Sequence, residues 1–134
     1  SFISKEKLLK NVDLINKYKV FIPPLGSGSD SFPHMILGRP FIGEPGTACT
    51  ETYIIAGLYE KEIEAKNCMS YLQTRFLRFL VLLNKPSQHA TSKVYQYVPK
   101  QNFLESWDDE KLYKKYNINK EEQSFIESLV KNMI

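Results

Sequence analysis

The chain has 134 residues, 43% of them apolar and 25% charged, which is one domain of ordinary globular sequence and excludes a disordered tail or a pair of independent cores. Two cysteines, Cys49 and Cys68, are too few for a disulfide scaffold or a structural zinc site and fit a reducing, cytoplasmic setting. The net charge is +3, but it is uneven: residues 1–100 hold 13 Lys/Arg against 8 Asp/Glu, whereas residues 101–134 hold 5 against 7.

In chain order, Ser4 caps a charged segment whose Leu8, Val12 and Ile15 fall on one stripe, which predicts a helix over residues 4–16. Residues 18–22 (Tyr-Lys-Val-Phe-Ile) alternate as a strand that Pro23-Pro24 must end. Residues 25–34, with Ser27, Ser29 and His34, read as a loop. Its glycines do not form a phosphate-binding fingerprint, since no Gly-Lys-Ser/Thr follows. A weaker strand is predicted over 35–42, interrupted by Gly38 and Pro40, and a stronger one over 50–56 from its β-branched and aromatic residues.

The longest predicted element is a helix over 60–83, with Ile63, Cys68, Tyr71, Leu72, Phe76, Phe79, Leu80 and Leu83 at helical spacing. Arg75 and Arg78 interrupt its apolar half, so each is expected to reach solvent or an anion. Asn84-Lys85-Pro86 stops this helix, a polar connector follows through Lys93, and residues 94–98 alternate as a further strand before Pro99. Residues 106–110 open one C-terminal helix with acids at its dipole-favoured end, and Asn119 to Glu122 open a second, amphipathic one. The expected fold is a single α+β domain: a small mixed sheet, one long central helix and a helical C-terminal end. Its core spans about 18–100 and a C-terminal extension about 105–134.

Catalytic constellations are not found. His34 and His89 lie far apart in polar loops, Cys68 sits on an apolar helix stripe, and Asp108, Asp109 and Glu110 are explained by capping. No metal site is expected either. The longest apolar run, Phe79 to Leu83, falls far short of the ~20 residues of a membrane span.

A binding surface is better supported. Residues 65–100 carry Lys66, Arg75, Arg78, Lys85, Lys93 and Lys100 and no acid, a composition suited to anions. Within it, Lys85, Gln88, His89 and Lys93 stand among Ser87, Thr91 and Ser92, the donor types that contact phosphates, and glutamine can also pair with an adenine edge. These four are the leading candidates for DNA contact. Ser27, Ser29 and His34 come next, and Arg39, Arg75 and Arg78 extend the surface. An ordinary solvated loop is the competing reading of the same composition.

Several blocks resemble one family. Lys19-Val20-Phe21-Ile22-Pro23, Gly46-Thr47-Ala48-Cys49-Thr50-Glu51-Thr52-Tyr53, Lys93-Val94-Tyr95 through Val98-Pro99, and Trp107-Asp108-Asp109-Glu110-Lys111-Leu112-Tyr113-Lys114-Lys115-Tyr116 with Phe125-Ile126-Glu127 resemble the carboxy-terminal target-recognition part of bacterial restriction–modification adenine-specific DNA methyltransferases. The strand at 50–56 and the helix at 63–83 look like the TaqI-like specificity domain of those enzymes.

The resemblance implies a domain that positions double-stranded DNA for an upstream methyltransferase domain that uses S-adenosylmethionine. The Asn/Asp-Pro-Pro-Tyr/Phe catalytic motif of the family is not matched here, because Pro23-Pro24 follows Ile22 and precedes Leu25. Methyl transfer and base flipping are therefore expected outside this stretch of chain, which itself needs no cofactor and spans no membrane. The alternative is a module that docks the methyltransferase onto a nuclease (restriction) or specificity subunit through an acidic 105–134 face bearing Trp107, Tyr113, Tyr116 and Phe125.

Overall fold

A computed structural model describes residues 16–25, 32–45, 53–84 and 98–133. The sequence-based expectations at 4–15, at Ser27 and Ser29, at 50–52 and over the connector and strand at 85–97 lie outside the described residues.

Three antiparallel strands form one sheet in the order β2-β1-β3: β1 is Tyr18–Ile22, β2 is Phe41–Gly43 and β3 is Ile54–Tyr59. Val20 pairs with Ile42 on one side and Gly57 on the other, and the register slips between Val20 and Phe21 on the β3 side. The alternation of β1 has the expected consequence: Val20 and Ile22 enter the core, while Phe21 turns to the other face. There Phe21, Phe41 and Tyr53 pack ring against ring, with centroids 5.2 to 6.1 Å apart. The weak strand expected over 35–42 is only Phe41–Gly43. Upstream, Ile36 adopts φ 77°, and Leu37 donates its N–H to the Met35 carbonyl two residues back, a tight turn that β-branched residues rarely tolerate. Burial of Ile36 at 2% exposure offsets that strain. Gly38 follows because a Cβ there would sit 2.6 Å from the Pro23 carbonyl oxygen.

The single long central helix is instead two: α1, Glu62–Leu72, and α2, Arg75–Asn84. The break at Gln73-Thr74 is satisfied on both sides. Thr74 Oγ1 donates to the Tyr71 carbonyl and accepts from the Leu77 N–H. The Asp109 carboxylate accepts from the Arg75 and Phe76 N–H groups at 3.1 and 2.8 Å, so it caps α2 from a distant part of the chain.

The C-terminal pair is α3, Asp109–Lys115, and α4, Lys120–Leu129. Asp108 caps α3 through the Lys111 N–H, and Asn119 with Glu122 forms a reciprocal capping box on α4. α1 packs across all three strands, while α2 packs against α3 and α4. Leu112, Tyr113, Ile126, Val130 and Met133 join Val20, Leu72, Leu77 and Val81 in one core, so the C-terminal helices are built into the same interior as the sheet. The architecture is α+β. Among the described residues no helix is long and apolar enough to cross a membrane.

Candidate nucleic-acid interface

Four of the residues singled out in the sequence converge, and they converge on backbone. After α4 the chain runs through residues 130–133, where Val130 forms a parallel bridge with His34: the His34 N–H donates to Leu129 and the Lys131 N–H donates to the His34 carbonyl, both at 2.7 Å. Arg39 Nη2 donates to the Met133 carbonyl at 2.6 Å, Arg75 Nε to Val130 at 3.0 Å, and Arg78 Nη1 to Lys131 at 2.6 Å. His34, Arg39, Arg75 and Arg78 thus tie the segment after α4 to the turn at 35–37 and to α2.

For Arg78 this corrects the expectation of solvent or an anion. Its side chain is fully buried, and its remaining donors reach the carbonyls of Thr74, Met35 and Gln73. Burial pulls its guanidinium down to about 10, although Asp109 opposes the fall. A guanidinium presents its N–H donors in a fixed fork, and here four protein carbonyls and complete burial leave no face for a ligand. Arg75 is half-buried and Arg39 exposed. The acid-free run at 65–100 therefore has two causes. From Tyr71 to Val81 carboxylates are absent because the helix is largely core; only the connector and its flanks retain the composition of an anion-facing surface.

Lys85, Gln88, His89 and Lys93 lie outside the described residues, but both stems of their connector are inside. It leaves the end of α2 at Asn84, whose amide donates to the Leu80 carbonyl. It returns at Pro99, whose carbonyl accepts the Tyr71 hydroxyl at 2.8 Å. The amide of Gln101 then donates to the Tyr116 hydroxyl at 2.8 Å and to the Tyr71 hydroxyl at 3.3 Å, and the Asn67 amide donates to the Phe103 carbonyl. The stems thus rest on α1, α2 and the C-terminal cap of α3.

Beside the returning stem is a cluster that the composition does not reveal. The ammonium groups of Lys111 and Lys115 lie 5.2 and 5.0 Å from the centroid of the Trp107 ring. Lys115 also donates to Gln101 Oε1, and Lys111 pairs with Glu105 at 2.8 Å. The spacing 107, 111, 115 was the available signal: one aromatic and two lysines at successive intervals of four.

A second surface is apolar. Phe76, Phe79, Leu80, Tyr116, Ile118 and Phe125 line a groove of about 520 Å³ between α2 and α4, with Glu121 and Glu122 also in its wall. Tyr116 stacks on Phe76 with centroids 5.2 Å apart, and Phe125, 57% exposed, meets Phe79 edge-on. Of the four aromatics expected on a docking face, Tyr113 is buried and Trp107 is half-covered; Tyr116 and Phe125 belong to this groove. Among the described residues no group of His, Cys, Asp and Glu could hold a metal ion. No family model, curated protein or solved structure matches the chain.

Proposed function

We propose that this chain is a DNA target-recognition domain of a restriction–modification adenine methyltransferase, holding the duplex while an upstream domain bound to S-adenosylmethionine transfers the methyl group. The observation that carries the reading is the rooting of the 85–97 connector. A segment rich in Lys, His, Gln, Ser and Thr leaves the exposed end of α2 at Asn84 and returns at Pro99, where the hydroxyl of buried Tyr71 holds the chain. A recognition segment needs that combination of donor-rich composition and rigid support. Lys85, Gln88, His89 and Lys93 carry the contacts in this reading, with Ser27 and Ser29 as the next candidates. His34, Arg39 and Arg75 act chiefly by holding the frame.

Substitution of the connector tests this. Lys85→Ala plus Lys93→Ala is expected to weaken duplex binding by the whole chain and to flatten its salt dependence by roughly 0.9 in log–log slope for each phosphate no longer engaged. Unchanged affinity and slope would remove the connector from the interface.

A second reading, docking to a nuclease or specificity subunit, is favoured by the apolar groove and its two wall glutamates. Co-purification of the chain with such a subunit in the absence of DNA, abolished by Phe125→Ala, is the result this reading expects.

A further inference from the structure

We propose that the C-terminal half of α3, with Lys114 and Lys115 at its centre and Lys111 and Lys100 at its edges, is a second contact surface for the nucleic-acid phosphate backbone. The inference rests on the DNA-recognition reading and adds a site to it that composition did not reveal, since residues 101–134 are net acidic.

Part of that acidity is already committed. Asp108 accepts the Lys111 N–H, both oxygens of Asp109 accept N–H groups of α2, and Glu105 pairs with Lys111. Among the described residues, Lys114 and Lys115 have no carboxylate within ion-pairing distance, and both are exposed. Within 105–115, Asp108 and Asp109 are thus held by backbone N–H groups and Glu105 by Lys111, and Glu110 is exposed one helical turn before Lys114; among the described residues the ammonium groups of Lys114 and Lys115 are the ones left without a carboxylate partner.

Structural roles account for part of the cluster. Cations suit the end of a helix, and the indole of Trp107 attracts ammonium groups placed over it. Neither explains why two like charges are gathered on one ring with Lys114 between them in sequence, nor why Lys115 is pinned. Surface lysines usually sample many rotamers, and fixing one on binding costs side-chain entropy. Here the cost is met in advance: Lys115 donates to Gln101 Oε1, Gln101 is held by the hydroxyls of Tyr116 and Tyr71, and Tyr71 is held by the Pro99 carbonyl. The same chain of bonds fixes the stem by which the connector returns, and Lys100 is the residue between them. A polyanion whose charges are spaced along an extended backbone fits this row; one small anion would leave most of it unused.

The test is equilibrium binding of the whole chain to a mixed-sequence duplex over a range of salt concentrations. Lys114→Gln plus Lys115→Gln is expected to bind about tenfold or more weakly at low salt, with a log–log slope shallower by roughly 2. Lys114→Arg plus Lys115→Arg is expected to keep the slope. Lys61→Gln plus Lys131→Gln removes two exposed cations elsewhere and serves as the charge-matched control. Wild-type affinity and slope in the Lys114/Lys115 glutamine variant overturn the proposal and leave the DNA-recognition reading standing. An equal loss in the control also overturns it, by reducing the effect to net charge. A wild-type chain that binds no duplex at low salt overturns the reading itself.

Discussion

The buried guanidinium of Arg78 donates to the backbone carbonyl of Lys131 at 2.6 Å, joining the middle of α2 to a segment 53 residues further along the chain. The same side chain serves the carbonyls of Met35, Gln73 and Thr74, so one cation closes the tight turn at 35–37, the break between α1 and α2, and the segment after α4.

Replacing Arg78 with Met keeps much of its volume but strands the carbonyls of Gln73 and Lys131 and leaves that of Met35 with only the Leu37 N–H. The expected loss is about 3 kcal/mol or more of unfolding free energy, because each buried, unsatisfied group costs roughly 1–3 kcal/mol. Arg78→Lys recovers only part, since one ammonium cannot span the same fork. Denaturant melts measure both. A loss under about 1 kcal/mol in Arg78→Met would mean that the guanidinium is not the clamp described.

Asp109 is the second long-range tie. Asp109→Ala removes the acceptor of two N–H groups at the start of α2 and is expected to cost about 1–2 kcal/mol. Asp108→Ala, which uncaps only the exposed start of α3, is expected to cost less. Reversal of that order in melts of the two variants would contradict the capping of α2 across the chain.

Tyr113 presents the opposite case. Its hydroxyl is buried and has no hydrogen-bond partner among the described residues. Tyr113→Phe removes a desolvated polar group and leaves the edge-on contact with Phe76, so it is expected to be neutral or stabilising by up to about 1 kcal/mol. A clear destabilisation would show that the hydroxyl has a partner after all.

Stability is expected to fall in alkali. Burial pushes the Cys68 thiol from 9.0 up to about 11 and the Tyr71 hydroxyl from 10.0 to about 12; Tyr59 and Tyr113 are raised for the same primary reason. Below pH about 9 these groups are protonated whether the chain is folded or not, and their contribution is intact. Above it the unfolded chain releases protons that the native state keeps, so stability drops by ~1.4 kcal/mol per pH unit for each such proton. Unfolding free energies measured between pH about 8 and about 11 would contradict this if they stayed level.

Local features were legible in the sequence and long-range ones were not. The period-2 pattern of Tyr18–Ile22 and the caps at Asp108 and Asn119 are properties of neighbours a few residues apart, and all three appear where expected. The break in the central helix was hidden because its apolar period runs on through Gln73 and Thr74, while its cap is a carboxylate from another helix. Arg75 and Arg78 looked like anion ligands because an arginine in an apolar stripe needs acceptors, and sequence does not distinguish a phosphate from a carbonyl contributed 53 residues away. The Trp107 cluster lay in a net acidic region, where counting charges conceals which acids are already bonded to backbone.

The central claim is that this chain grips double-stranded DNA, and its salt dependence is the most direct test. Saturable binding of a mixed-sequence duplex to the 134-residue chain is expected at low salt, with log affinity falling linearly against log salt by about 0.9 for each phosphate engaged. Binding that is undetectable at low salt, or that does not respond to salt, would contradict it.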